Sequence, residues 1–120
     1  MKVVISGSRS IKVLPIEAKA RIKAIIDLQA EIIVGDAVGV DLLVQRFLNE
    51  CRYQNVCVYH AYGTARNNLG FKTQGGFQSY VARDIAMCQS ADFGLAIWDG
   101  RSRGTRDNID RVPTRIVLVN

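Results

Sequence analysis

One feature constrains this chain more than any other: short, almost wholly apolar runs alternate with stretches that carry the 3.6-residue period of a helix. Residues 2–6, 31–34, 55–59, 92–98 and 115–119 read as strands, rich in Val and Ile. Residues 16–29, 40–51, 79–90 and 105–111 read as helices. The first has Pro15 and Glu17 near its start and Ile16, Ala20, Ile22, Ile25, Ile26 and Leu28 as its apolar stripe. Leu43, Val44, Phe47 and Leu48 form the core face of the second, and Val81, Ile85, Met87 and Cys88 that of the third. Strands such as Ile32-Ile33-Val34 are apolar on both sides, as strands covered on both faces must be. Repeated strand–helix units of this kind predict one Rossmann-like three-layer α/β/α domain over residues 1–120, with a five-stranded parallel sheet. Right-handed crossovers then bring every strand-to-helix loop to one edge, and ligands bind there, where the strand order reverses.

Composition fits that architecture. Of the 120 residues, 48% are hydrophobic and 22% charged, enough for a core without metal or disulfide staples. The three cysteines, Cys51, Cys57 and Cys88, form no Cys-x-x-Cys pair and read as small buried hydrophobes in a reducing compartment. Cys57 and His60 point to opposite faces of an extended run, so neither a zinc site nor any other metal or cofactor is expected. No stretch has the pattern of a signal peptide or a membrane span, and a cytoplasmic location without a membrane partner is expected. The net charge of +5 favours anionic partners, phosphates above all. It is spread along the chain, and an ordinary basic surface accounts for it equally well.

Four segments fall on the ligand edge. Gly7-Ser8-Arg9-Ser10 follows the first strand and offers a sharp turn, two hydroxyls and a guanidinium fork for phosphate. Gly35-Asp36-Ala37-Val38-Gly39-Val40-Asp41 follows the second strand and opens a helix whose free amides suit an anion. Asp41 serves either the ligand or its own helix as a cap. It is neither the Gly-x-Gly-x-x-Gly fingerprint nor a P-loop. Arg83-Asp84 precedes the fourth strand, where a solvated pair is the default. Residues 98–107 gather Asp99, Gly100, Ser102, Gly104, Thr105 and Asp107 with three arginines, and suit a phosphate or ribose cradle with Asp99 and Asp107 as acid/base groups. The alternative is a basic loop capped by Thr105. Residues 61–78, polar and with four glycines, have no period and read as a long functional loop.

Ser6-Gly7-Ser8-Arg9, the Gly35–Asp41 run, Arg83 with Met87 and Ala91-Asp92, and the run from Asp99 to Thr105 together resemble the SLOG superfamily over essentially the whole chain. That superfamily includes the LOG phosphoribohydrolases, the DNA-processing protein A domain and small nucleotide-sensing domains. The resemblance implies a nucleotide ligand, a phosphate cradle at Gly104 and Thr105, and Arg83 and Asp107 as the arginine and acid that cleave an N-glycosidic bond in LOG enzymes. It also implies a homodimer. Two departures stand out. Residues 98–103 replace a Pro-Gly-Gly turn, and Asp107 is one methylene shorter than the family's glutamate, which leaves Asp99 as a substitute.

Three functions follow. The first is a nucleoside-monophosphate N-glycosidase, with Ser8, Arg9, Gly104 and Thr105 on the phosphate. The second is a non-catalytic sensor of an ADP-ribose-type or cyclic nucleotide, with residues 61–78 as a lid and Tyr62, Phe71, Phe77 or Tyr80 stacked on a base or packing the loop down. The third, ranked last for want of a basic stripe, is single-stranded nucleic-acid binding.

Overall fold

The computed structural model describes residues 1–120. β1 (Lys2–Gly7) lies in the middle of a six-stranded, all-parallel sheet of order β4-β3-β2-β1-β5-β6. The chain runs outward from β1 through α1 (Ile16–Asp27), β2 (Glu31–Val34), α2 (Val40–Glu50), β3 (Val56–Ala61) and β4 (Lys72–Phe77). α3 (Tyr80–Ser90) then carries it back across the sheet to β5 (Phe93–Trp98), on the other side of β1, and α4 (Arg103–Arg111) leads to the outer strand β6 (Thr114–Leu118). The order therefore reverses between β1 and β5, which pair in register from Val3 with Phe93 to Gly7 with Ile97.

Strand alternation sorts the core into two layers. Ile5, Ile32, Val34, Val56, Val58, Leu95 and Ile97 face α1 and α2, where Ala18, Ile22, Val40, Val44, Phe47 and Leu48 complete the larger cluster. Val4 and Ile33 face the other way, onto Met87 and Cys88 of α3 and Val112. No helix is long and apolar enough to cross a membrane.

The sheet has one strand more than the five expected. β4 lies inside residues 61–78, which lacked any apolar period. It is an outer strand with Lys72, Thr73, Gln74 and Gly76 exposed, so no burial imposes a pattern on it. Parallel neighbours need a crossover, and β3 and β4 are joined by residues 62–71 without a helix. Side chains of α2 hold that crossover instead. Gln45 Nε2 donates to the carbonyls of Gly35 and Asn67, Gln45 Oε1 accepts from Leu69 N–H, and Asn49 donates to the Leu69 carbonyl. Phe71 sits in the core.

Four further expectations are corrected. α4 begins at Arg103 rather than residue 105, which puts Gly104 and Thr105 inside its first turn. Cys51 lies just past α2 and is half-buried, whereas Cys57 and Cys88 are buried. On α3, Val81 and Ile85 are exposed while Arg83, Met87 and Cys88 are buried. Ile16, Ala20 and Leu28 of the α1 stripe are exposed as well.

Candidate functional site

A cleft of about 350 Å³ lies beyond the C-terminal ends of β1 and β5, at the switch point. Residues from five segments line it: Ser6 and Gly7 at the end of β1 with Arg9 and Ser10 beyond, Ala37 after β2 with Asp41 in the first turn of α2, Arg83, Asp84 and Met87 on α3, Asp99 and Ser102 after β5, and Gly104, Thr105 and Asn108 on α4. Only Ala37 and Met87 are apolar. A cleft with this lining suits a polar ligand.

Ser8 builds the frame. It is buried, and its hydroxyl accepts from Asp99 N–H at 2.9 Å and pairs with Ser102 Oγ at 2.7 Å. Its backbone N–H donates to the Ile97 carbonyl, and its carbonyl accepts from Val40 N–H at the start of α2. One residue thus joins β1, β5 and α2, and its hydroxyl is occupied in doing so. Gly39 closes the same junction. It has φ +79°, and a Cβ there would stand 2.5 Å from the Arg9 backbone.

The loop after β5 is organised by Asp99. Its Oδ1 accepts from Arg101 N–H and Ser102 N–H, each at 2.8 Å, and its Oδ2 accepts from Ser10 Oγ at 2.8 Å. The Ser102 and Arg101 amides, followed by the Ser10 hydroxyl, hold its carboxyl well below the ordinary range. Asp99 is therefore a fixed anion that shapes the loop, and it makes a poor proton donor. Gly100, at φ +79°, supplies the turn and does not line the cleft. Ser102 is the N-cap of α4, but its hydroxyl is directed to Ser8 and caps nothing. The first-turn amides of α4, at Gly104 and Thr105, are left without a side-chain cap beside the cleft. Thr105 is buried and lines the cleft; it does not cap the helix.

Arg83 is the largest departure from expectation. It is not solvated: it is 7% exposed. Its Nη1 donates to Asp36 Oδ1 at 2.7 Å, and its Nε and Nη2 both donate to Asp84 Oδ1, at 3.1 and 2.9 Å. Asp36, buried at the end of β2, also accepts from Arg66 N–H, Nη2 and Nε. Burial raises the Asp36 pKa, but the hydrogen bonds and charge of Arg66, with the charge of Arg83, outweigh it and leave the carboxyl below its ordinary value. Asp36 thus stands behind the cleft as an anchor for two guanidiniums. Gly35 makes room for the group: a Cβ there would lie 2.5 Å from Asp41 Oδ2 and 3.2 Å from Arg83 Nη1.

Asp41 is 7% exposed at the cleft wall. Its Oδ2 accepts from Ala37 N–H at 3.0 Å, upstream of the helix, so it does not cap α2, whose N-cap is Gly39. Burial pushes its pKa up to about 6, against the pull of the Arg83 charge and the Ala37 hydrogen bond. That brings it into the range of physiological proton exchange, whereas the Asp99 carboxyl is moved the other way.

Of the residues named from the sequence, Gly7, Arg9, Asp41, Arg83, Asp99, Ser102, Gly104 and Thr105 come together at the cleft. Ser8, Gly35, Asp36 and Gly39 form its supporting wall. Asp107 does not line it and is exposed on α4. The aromatic residues are also elsewhere. Phe71 is in the core, Phe77 stacks on Tyr59, and Tyr62 meets Tyr80 edge-on. Tyr80 in turn carries Arg66 at 4.1 Å from its ring centre. Of residues 61–78, expected as a lid, Arg66, Asn67 and Leu69 are pinned by Asp36 and Gln45, and residues 72–77 form β4. Sequence reasoning missed Arg66 and Asn108, which stand in no motif. Comparison with family models, with curated proteins and with solved structures gives no match, so what the cleft can do follows from its own residues.

Proposed function

We propose that the protein binds a phosphorylated nucleoside-type ligand in the switch-point cleft, with the phosphate against Arg9, Ser10 and the first turn of α4 and the sugar toward Arg83 and Asp41. The observation that carries this reading is the uncapped start of α4. Ser102 gives its hydroxyl to Ser8, so the first turn of α4 has no side-chain cap where Gly104 and Thr105 line the cleft, an arrangement that suits an anion. Arg9, exposed beside them, adds a bidentate cation. The SLOG resemblance points to the same class of ligand.

Retention of the ligand fits the geometry better than turnover by the carboxylates the resemblance singles out. Asp107 is off the cleft, and Asp99 is an anion held by three donors. The small volume of the cleft, about 350 Å³, and the lack of an aromatic platform in it also favour a small ligand over a nucleic-acid strand.

Incubation with nucleoside monophosphates, ADP-ribose and cyclic nucleotides, read by mass spectrometry and by thermal shift, tests this. Stabilisation by an intact, retained ligand is expected, and it should weaken in Arg9→Ala. Release of free base would make the protein a hydrolase. No stabilisation by any of these compounds would remove the reading.

A further inference from the structure

Asp41 has no assigned task in the frame of the cleft. Its Oδ2 takes the Ala37 N–H, but no protein group bonds Oδ1 of this nearly buried side chain at the cleft wall. An ionised carboxylate in that place would repel an anionic ligand. A neutral one would present an O–H donor to it.

We propose that Asp41 meets the ligand as a neutral carboxylic acid and donates a hydrogen bond from Oδ1 to a phosphate or sugar oxygen, so that binding takes up a proton from solvent. This rests on the ligand reading above and names the group in the cleft that couples it to pH. The charges around Asp41 come from every side. Arg83 and Asp84 face it from α3, Asp36 from the end of β2, and Arg66 from the β3–β4 crossover, with Arg9 and Asp99 on the cleft's other walls. Arg83 is already shared between Asp36 and Asp84, and Arg66 is held by Asp36, so neither guanidinium is free to neutralise Asp41 and the ligand together. Burial then favours the neutral acid, and Asp41 releases its proton at about pH 6 in the free protein. An anion bound beside it adds to the preference.

The consequence is numerical. If the ligand binds only the protonated form, apparent affinity follows the protonated fraction and falls on the order of 50-fold between pH 6 and pH 8. Titration calorimetry with adenosine monophosphate, at pH 8 in two buffers of different ionisation enthalpy, should report uptake of about one proton per ligand by the wild-type protein. Asp41→Asn keeps a neutral donor at the same place. It should bind at pH 8 more tightly than wild type and lose the excess pH dependence, while the ligand's own phosphate titration, common to both proteins, cancels in the comparison.

Binding without proton uptake, or with the same pH profile in both proteins, overturns the role of Asp41 and leaves the ligand reading standing. No binding to either protein at any pH, with ADP-ribose and cyclic nucleotides failing as well, overturns the ligand reading and this inference with it.

Discussion

The raised pKa of Asp41 is a stability statement before it is a functional one. A carboxyl that ionises at about 6 in the folded chain and at its ordinary value of 3.8 when unfolded binds its proton more tightly in the native state. The native protein is therefore handicapped wherever the group must be ionised, and the handicap grows as pH rises from 3.8 through 6 and is complete above that. The rise corresponds to about 3 kcal/mol at pH 8 and about 1 kcal/mol at pH 4.5. Asp41→Asn removes the charge and keeps an oxygen for the Ala37 N–H. The variant should be the more stable protein, by a margin that grows from about 1 to about 3 kcal/mol between those pH values. Urea unfolding of both proteins at both pH values measures this, as a midpoint shift of about 1–3 M at pH 8 with an unchanged slope. Because Asp36 and Asp99, whose pKa values move the other way, are present in both proteins, the difference isolates Asp41. A variant no more stable than wild type at pH 8, or one whose advantage does not depend on pH, would refute the claim that burial outweighs Arg83 at this position.

Asp36 responds in the opposite sense: Asp36→Ala leaves Arg83 buried without its closest partner and should cost about 3–5 kcal/mol in urea unfolding, with a small loss counting against the anchor role. Gln45→Leu strands the Leu69 N–H and the Gly35 and Asn67 carbonyls, and should cost about 1–3 kcal/mol and speed amide exchange in residues 62–71 before it does so in β1 or β2. Gly35→Ala places a methyl group against Asp41 and Arg83 and should cost about 1–3 kcal/mol and abolish any ligand-induced thermal shift, whereas an unperturbed shift would mean that the pair tolerates displacement.

The elements with strong periods were legible because burial on both faces wrote them into the sequence. β2, β5 and the core face of α2 stand where the apolar runs placed them, whereas α1 is a helix as expected but buries Ala18 and Ile22 rather than the whole stripe. β4 was hidden because a polar outer strand obeys no such rule: Lys72, Thr73 and Gln74 are exposed. α3 was legible as a helix but not in the way it faces. Its polar residue Arg83 points inward because Asp36, 47 positions away, supplies the compensating charge, and no local pattern encodes so distant a partner. The glycine-marked loops did locate the cleft. The roles within it depended on hydrogen bonds that spacing cannot show, such as the three donors that fix Asp99 and the hydroxyl that Ser102 turns toward Ser8.

The helix-free crossover between β3 and β4 gives the molecule a seam. With β4 lifted away, the remaining strands still form a five-stranded parallel sheet with the reversal at β1, and the two core layers lose little beyond Phe71. The outer strand is thus an attachment to a fold that is otherwise complete, fastened by its ladder to β3, by the amide side chains of Gln45 and Asn49, and by the ion pairs of Arg66 with Asp36 and Lys72 with Glu31. Opening the seam would withdraw Arg66 and leave Arg83 as the single cation on Asp36, with the cleft's charge balance shifted toward the negative. A motion at the rim of the sheet would in this way be read at its centre as a change in how strongly the site attracts an anion.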